Sequence, residues 1–342
     1  MTMSPQQAKA AVTIGRLSMA YRQARVIHSA VELGVFELLA QGPADESEIV
    51  ARLGLHPRLA RDFLSALVAL DLLERADGRY RTSGLAQDAL VPGSPVYLGD
   101  TILATGTRHY QAWERLSEAL RDGRATSREH TGADTFARLY DEPDRARGFL
   151  AHMDSAHAPI GPQLAEFVDW SLYKTFTDIG GARGTVAADI ALRHPHLRGG
   201  VLELPAIEPL FEENMRRLGT ADRIDFHGGD FFTDPLPPTD VMILGHVLHD
   251  WAPADRRRLL ARVHDALPPG GVLVVYDQML DPEEPELNTV LGSLQVGLFT
   301  GGSEYTVNEC RAWTAEAGLR YSAGRRLTSI GNDFVLIATK DA

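Results

Sequence analysis

Between positions 10 and 40 apolar residues recur at spacings of three and four, through Ala24, Ile27, Val31, Val35 and Leu38. That period predicts helix with one buried face. Asp45 followed by Glu48 has the form of a capping box, opening a short helix that closes at Gly54. A second helix opens at Pro57, with Leu59, Phe63, Leu67 and Leu70 on one face, and two short extended pieces follow around Asp77-Gly78. Helix, helix and hairpin in this order predict a winged helix. Residues 95 to 170 read as further helices, rich in His109, Tyr110, Trp113, Phe136, Tyr140, Phe149, His152, Met153 and His157. Side chains of this kind at helical spacing usually pack a core, but the segment is also a natural wall for a planar ligand.

From residue 175 the pattern alternates between short apolar runs and helical stretches. Strands are predicted at 175–178, at 201–203, from Arg223 to His227, from Asp240 to Leu244 and from Gly271 to Tyr276. Two more lie near Leu319 to Leu327 and Asp333 to Thr339. Val-Met-Ile-Leu and Val-Leu-Val-Val are continuous apolar runs, the mark of parallel strands covered on both faces. The helix from Asp255 to Leu267 carries its stripe on Leu259, Leu260, Val263 and Leu267, and Pro-Pro-Gly-Gly closes it. The fold class is therefore α/β, a doubly wound, Rossmann-like sheet whose ligand sits at the carboxyl ends of the strands, preceded by an all-helical, winged-helix domain. The domain boundaries read as 1–100, 101–172 (a helical connector contributing to the substrate pocket) and 173–342.

Composition narrows the function. The 342-residue chain is 44% hydrophobic and 23% charged, ordinary for a globular protein. Its net charge of −12 disfavours a nucleic-acid partner, which needs Lys and Arg to neutralise phosphates. The second helix of the winged helix carries only Arg58 and Arg61 against Asp62 and Asp71, so the module reads as a dimerisation scaffold rather than a DNA reader. No run approaches a membrane span, and no signal-peptide pattern opens the chain. A single cysteine, Cys310, fits a reducing cytoplasm.

The candidate chemistry lies at the predicted strand ends. Asp178 precedes Gly180, Gly181 and Gly184, a helix follows, and Glu203 lies 23 positions after Gly180. This is the order that builds a nucleotide pocket, with the acid about 20 residues on placed for ribose hydroxyls. A carboxylate at Asp178 would repel a pyrophosphate. It suits a ligand bearing an ammonium group, such as the methionine end of S-adenosylmethionine, although the turn alone leaves a dinucleotide open. Asp230 with Phe231 and Phe232 can accept from an adenine amino group and cover its ring. Gly245-His246 and His249-Asp250-Trp251 follow the fourth strand, and Asp277-Gln278-Met279 the fifth. His246 and His249 fall on one face if the segment is helical, but no third ligand is apparent and no metal is expected.

These pieces resemble the S-adenosylmethionine-dependent O-methyltransferases of the plant caffeate and bacterial natural-product type. Asp-Ile-Gly-Gly-Ala-Arg-Gly, Leu-Glu-Leu-Pro, Gly-Asp-Phe-Phe and His-Val-Leu-His-Asp-Trp match, as do Leu-Pro-Pro-Gly-Gly, Gly-Gly-Ser-Glu-Tyr-Thr and Glu-Ala-Gly-Leu. The resemblance spans essentially the whole chain. It implies a class I methyltransferase domain, S-adenosylmethionine as cofactor with S-adenosylhomocysteine as product, and a homodimer through the N-terminal domain. It places Gly180 and Gly181 on the methionine part of the donor, Glu203 on the ribose and Asp230 with Phe231 on the adenine. Phe232, Gly245 and His246 border the same ligand. His249 matches the family's general base, and Asp277 and Glu304 match the acids that orient it. The candidate acceptor wall is Tyr110, Trp113, Phe149, Met153, His157, Asp250, Met279 and Phe299.

Three residues depart from the family pattern. Ala182 stands where a third glycine is common. Asp277 replaces a glutamate and is one methylene shorter, so its bond to His249 is expected to be lost or water-bridged. Gly245 stands where plant members carry a lysine that contacts the donor. The implied reaction is methylation of a phenolic or enolic hydroxyl on a small aromatic secondary metabolite. A phenol near pKa 10 needs a base, and an imidazole near 6.5 is poised to be one. Carbon methylation of an enol or electron-rich ring, drift to hydroxylase or pericyclic chemistry, and a DNA-binding regulator are the alternatives.

Overall fold

The computed structural model describes residues 3–94, 96–126 and 135–341. The chain divides into two compact units, 1–107 and 108–342. Among the described residues no helix is long and apolar enough to cross a membrane.

In the first unit the predicted capping box forms: the Asp45 carboxylate accepts from Glu48 N, and the Glu48 carboxylate from Asp45 N. The helix Glu46–Leu53 ends at Gly54, whose φ of 64° needs no side chain to be strained. The apolar period over 10–40 is divided among three helices, Pro5–Ser18, Tyr21–Glu32 and Val35–Ala40, with a left-handed Gly34 before the third. Strands β1 (Ala44–Asp45), β2 (Leu73–Ala76) and β3 (Arg79–Thr82) pair antiparallel in the order β1-β3-β2. Asp77 and Gly78 both take positive φ, the requirement of a tight hairpin turn. On helix Pro57–Ala69 the expected face holds at Phe63, Leu67 and Leu70, which join the core, and fails at Leu59. Its buried face runs through Ala60, Leu64 and Leu67, while Leu59 is 56% exposed. The buried stripe is centred between the Leu67 and Leu64 rows, which leaves the first turn's Leu59 at its edge.

The second unit is organised by a seven-stranded sheet. Its strands are β4 (Thr175–Ile179), β5 (Arg198–Glu203), β6 (Ile224–Gly228), β7 (Val241–Gly245), β8 (Val272–Asp277), β9 (Leu319–Arg326) and β10 (Phe334–Lys340). They lie in the order β6-β5-β4-β7-β8-β10-β9. The first five are parallel, and β10 runs antiparallel between β8 and β9. Both faces are covered, so β7 alternates Val241 and Ile243 into one core with Met242 and Leu244 into the other. That double burial is why the strand reads as an unbroken apolar run.

This topology brings the carboxyl ends of β4, β5, β7 and β8 to one edge. Because β10 is antiparallel, its N-terminal end reaches that edge as well: Phe334 is in register with Asp277. Asp333 thereby joins residues 56 positions earlier in the chain.

Candidate active site

β4 delivers Asp178, then the turn through Gly180 (φ 71°), Gly181, Ala182 (φ 52°) and Gly184 (φ 80°) into helix Thr185–Arg193. The turn lies directly against the acid. A Cβ added at Gly181 would come 2.6 Å from Asp178 Cγ, and one at Gly180 would come 2.9 Å from Val247 Cγ2. Glu203, at the end of β5, accepts from Ala182 N at 3.2 Å and from Leu204 N at 2.8 Å. Burial pushes both Asp178 and Glu203 up to about 7, and the charge of Glu203 adds to the effect on Asp178. Burial leaves both acids short of positive charge and, beyond the two backbone donors on Glu203, of further hydrogen-bond donors. An ammonium group with ribose hydroxyls supplies both.

Ala182 is the one turn residue with a side chain in the left-handed region apart from the glycines that favour it, and a Cβ there costs about 1 kcal/mol. Ala182→Gly is expected to raise the melting temperature by about 2 °C, measured by calorimetry. An unchanged or lower value would show that the turn holds no such strain.

Beside this turn lies an aromatic group. Phe231 and Phe232 meet edge-on at 4.9 Å, and Trp251 meets them at 5.9 and 4.6 Å. The Phe231 ring edge also lies 3.7 Å from the position of a Cβ on Gly180, so the group adjoins the turn. Asp230 anchors its own loop: one carboxylate oxygen accepts from Phe232 N at 2.8 Å. Trp251 is a member of the group that sequence reasoning used only as a family mark.

His249 sits on a single 3-10 turn, Leu248–Asp250, after β7 and not on a longer helix. Its Nδ1 donates to Glu304 Oε1 at 2.7 Å, and Asp277 Oδ1 lies 3.3 Å from the same nitrogen. Asp277 is fully buried and is held by the Tyr305 hydroxyl, which donates to its other oxygen. The aspartate is thus close to the ring, while the hydrogen bond belongs to the glutamate. Burial opposes a charge on His249, but Glu304, Asp277 and Asp250 outweigh it and hold the imidazole well above its usual value.

His246 is not helical: at φ 52° it leaves β7 in the left-handed region. Its ring stacks on His157 at 4.2 Å and meets His249 edge-on at 5.1 Å, with Nε2 2.8 Å from Asp333 Oδ1. Burial works against its cation, and Asp333 prevails and raises it. The structure therefore places His246 beside the candidate base, with Asp333 as a partner that sequence reasoning missed. His246, His249 and Asp277 offer ligand atoms within 4.8 Å of one another, a third candidate ligand for a metal where none was expected. His249 Nδ1 is already engaged by Glu304 and His246 Nε2 faces Asp333, so the arrangement is that of two imidazole–acid pairs.

The remaining candidates divide. Trp113 Nε1 donates to Gln295, and His109 meets both His152 (5.1 Å) and Phe299 (4.9 Å) edge-on. Asp250 Oδ1 lies 3.7 Å from His249 Nε2. Met153 is partly buried on helix Pro143–His157, which also carries His157. Phe149 on the same helix packs with Phe136 and Tyr140, against a cluster that Ala182 and Leu204 also border. Tyr110 is 42% exposed. Met279 corrects an expectation. It is wholly buried in the core with Leu248 and Trp313, because the chain turns inward after β8, and so offers no surface to an acceptor. The glycine at 245 also has a packing cause, since a Cβ there would fall on the Tyr276 ring at 1.9 Å.

Residues 16–92 match the model of an O-methyltransferase dimerisation domain, and residues 113–320 that of an O-methyltransferase domain. The chain is 48% identical to the N,N-dimethyltransferase OxyT of Streptomyces rimosus, over 95% of each chain. It is 44% identical, again over 95% of each, to the tetracenomycin polyketide synthesis 8-O-methyl transferase TcmO of Streptomyces glaucescens. Among solved structures, human N-acetylserotonin methyltransferase in complex with S-adenosylmethionine superposes with a TM-score of 0.90 at 27% identity. That match covers 99% of this chain and 100% of the other.

Proposed function

The chain belongs to the O-methyltransferase family, and on that premise we propose that it methylates a phenolic or enolic hydroxyl of a small polycyclic aromatic metabolite, with His249 as general base. The enzyme is an S-adenosylmethionine-dependent methyltransferase. The observation that carries the finer reading is the His249–Glu304 pair, at 2.7 Å, on the sheet edge that also holds the glycine turn. Gly180, Gly181 and Asp178 would hold the methionine end of the donor, Glu203 its ribose, and Asp230 with Phe231, Phe232 and Trp251 its adenine. The bound donor supplies an electrophilic methyl on a sulfonium. What the chain must add is alignment, exclusion of water and a proton acceptor.

His249 Nε2 takes the hydroxyl proton as the oxygen–carbon bond forms and the sulfur–carbon bond breaks. Glu304 on Nδ1–H fixes the tautomer and stabilises the imidazolium that results. Asp277, held by Tyr305, adds negative charge behind the same ring. The His246–Asp333 pair, one ring away, is suited to a second oxygen on the acceptor, as in a hydroxyl flanked by a carbonyl. His157, stacked on His246, and Phe299 with His109 are suited to the flat face of such a ring system. Asp178 and Glu203, in contrast, would touch only the donor.

The N-terminal unit supports a homodimer. Helix Pro5–Ser18 buries none of its residues and leaves Val12, Ile14 and Leu17 between 53% and 66% exposed, apolar surface that a second copy would cover.

A nitrogen acceptor is the second reading, because OxyT, at 48% identity, is named an N,N-dimethyltransferase. Incubation with methyl-labelled donor and a panel of polycyclic phenols and aryl amines separates the two. Label on oxygen by proton–carbon correlation supports the first reading. Label only on nitrogen or on carbon would replace it.

A further inference from the structure

Behind the candidate base lies a cation that the methyl-transfer scheme does not use. Arg256, on helix Pro253–Ala266, is 2% exposed and ranks among the largest fully buried side chains. Its partners are carbonyl and hydroxyl oxygens rather than carboxylates. Nε donates to the carbonyl of Trp251 at 2.8 Å. One terminal nitrogen donates to the carbonyls of His249 (3.3 Å) and Ser303 (2.6 Å) and to the Ser303 hydroxyl (3.3 Å). The guanidinium lies over the rings of Tyr305 and Trp313, at 4.9 and 5.3 Å.

Each contact belongs to a part of the same machinery. The His249 carbonyl is on the loop of the base, and the Ser303 carbonyl is next to Glu304. Tyr305 is the residue whose hydroxyl holds Asp277. The two loops also touch directly: Ser303 N donates to the His249 carbonyl at 2.9 Å, and a Cβ at Gly302 would sit 2.1 Å from that oxygen. Packing alone does not call for a guanidinium here, since an apolar side chain of similar volume usually serves a buried site as well or better. A fork of donors with a fixed plane, however, can bridge several carbonyls at once.

We propose that Arg256 is a positioning residue for methyl transfer, clamping the His249 loop to the Glu304 loop. The inference rests on the reading of His249 as base.

The electrostatic part has a definite sign. His249 is faced by Asp250 and His246 from its own loop, with His157 behind His246. Asp277 faces it from β8 and Glu304 from the loop after helix Leu287–Phe299. Arg256 is faced by Tyr305, Asp277, Glu304 and Glu309. Removing its charge takes a neighbouring cation away from the imidazolium while the flanking acids remain, so His249 holds its proton more tightly. Arg256→Gln should therefore make His249 titrate higher. Arg256→Lys keeps the charge but loses the planar fork, so it should leave the titration in place and loosen the loops.

The test needs no acceptor. Histidine-labelled protein with S-adenosylhomocysteine bound is titrated by NMR, and amide exchange is followed in residues 247–251 and 301–305. In Arg256→Gln, His249 is expected to titrate about one pH unit above the wild type. In Arg256→Lys it titrates as in the wild type, while exchange in both loops quickens by about tenfold or more. An unchanged titration in the glutamine variant, or unchanged exchange in the lysine variant, overturns the proposal. So does failure of both variants to bind S-adenosylhomocysteine, which would make Arg256 a requirement for folding alone. Full activity in a His249→Ala enzyme would instead overturn the base assignment, whatever the Arg256 variants do.

Discussion

Replacing His249 by alanine is expected to lower kcat between about 100- and 10,000-fold, the usual contribution of a positioned general base. The Kd for S-adenosylhomocysteine should be unchanged, because the proposed donor contacts lie on the glycine turn and on Glu203, Asp230 and the aromatic group. The effect is large because a neutral phenol is a poor nucleophile and His249 is the imidazole that Glu304 orients. The pH profile should carry the signature of the same residue. His249 must be neutral to accept a proton, and Glu304 and Asp277 hold it above the ordinary imidazole range against the effect of burial. Activity should therefore fall as pH drops through that raised value, above about 6.5. Glu304→Gln removes the main cause, so the acid limb should move down in pH while kcat falls. Rate–pH profiles of the wild type and both variants check this. An acid limb in Glu304→Gln that stays at the wild-type position would separate the glutamate from the base.

The second large effect concerns the donor. Asp178 and Glu203, both raised to about 7, are partly protonated near neutrality before a ligand arrives. An ammonium group and ribose hydroxyls favour the ionised form, so binding lowers both values and releases protons at pH 7. Affinity should then weaken as pH falls below 7, by up to about tenfold per pH unit for each acid. Glu203→Gln and Asp178→Asn should each weaken binding by about 10- to 100-fold, since hydrogen bonds to a charged group are the strong ones. Both variants should also lose their share of the proton release. Calorimetric titration with S-adenosylhomocysteine, in buffers of different ionisation enthalpy, reads affinity and protons together. Affinity that stays constant from about pH 5.5 to 8 would contradict this account of the acid pair.

Much of this candidate site was legible in the sequence because its proposed donor half is local. Asp178, the glycine turn and Glu203 fall within one strand–helix–strand unit, where the order of residue types dictates what they can face. Asp230 and His249 were legible through the rule that ligands gather at the carboxyl edge of such a sheet. The rest depends on packing that the chain does not announce. Asp333 reaches the site only because β10 runs antiparallel, which puts its beginning where the parallel strands end. Arg256 reads as one more charge in an Arg-Arg-Arg run, and only the burial of its helix turns it beneath the two loops. His246 appeared to share a helical face with His249. The left-handed backbone at His246 instead set the two rings edge to edge. Leu59 and Met279 failed for the opposite reason, since a hydrophobic residue at a sensible spacing does not say which side of a helix or of a sheet edge it will take.

The account as a whole turns on one event, the passage of a methyl group to an oxygen while His249 takes the proton. The most direct test is a single turnover with methyl-labelled S-adenosylmethionine bound stoichiometrically to the wild type and to His249→Ala, mixed with the phenolic acceptor found by the panel. The account predicts an O-methyl product from the wild type at a rate at least about 100-fold above the variant, with equal donor occupancy in both. Equal rates of O-methylation in the two proteins would contradict it.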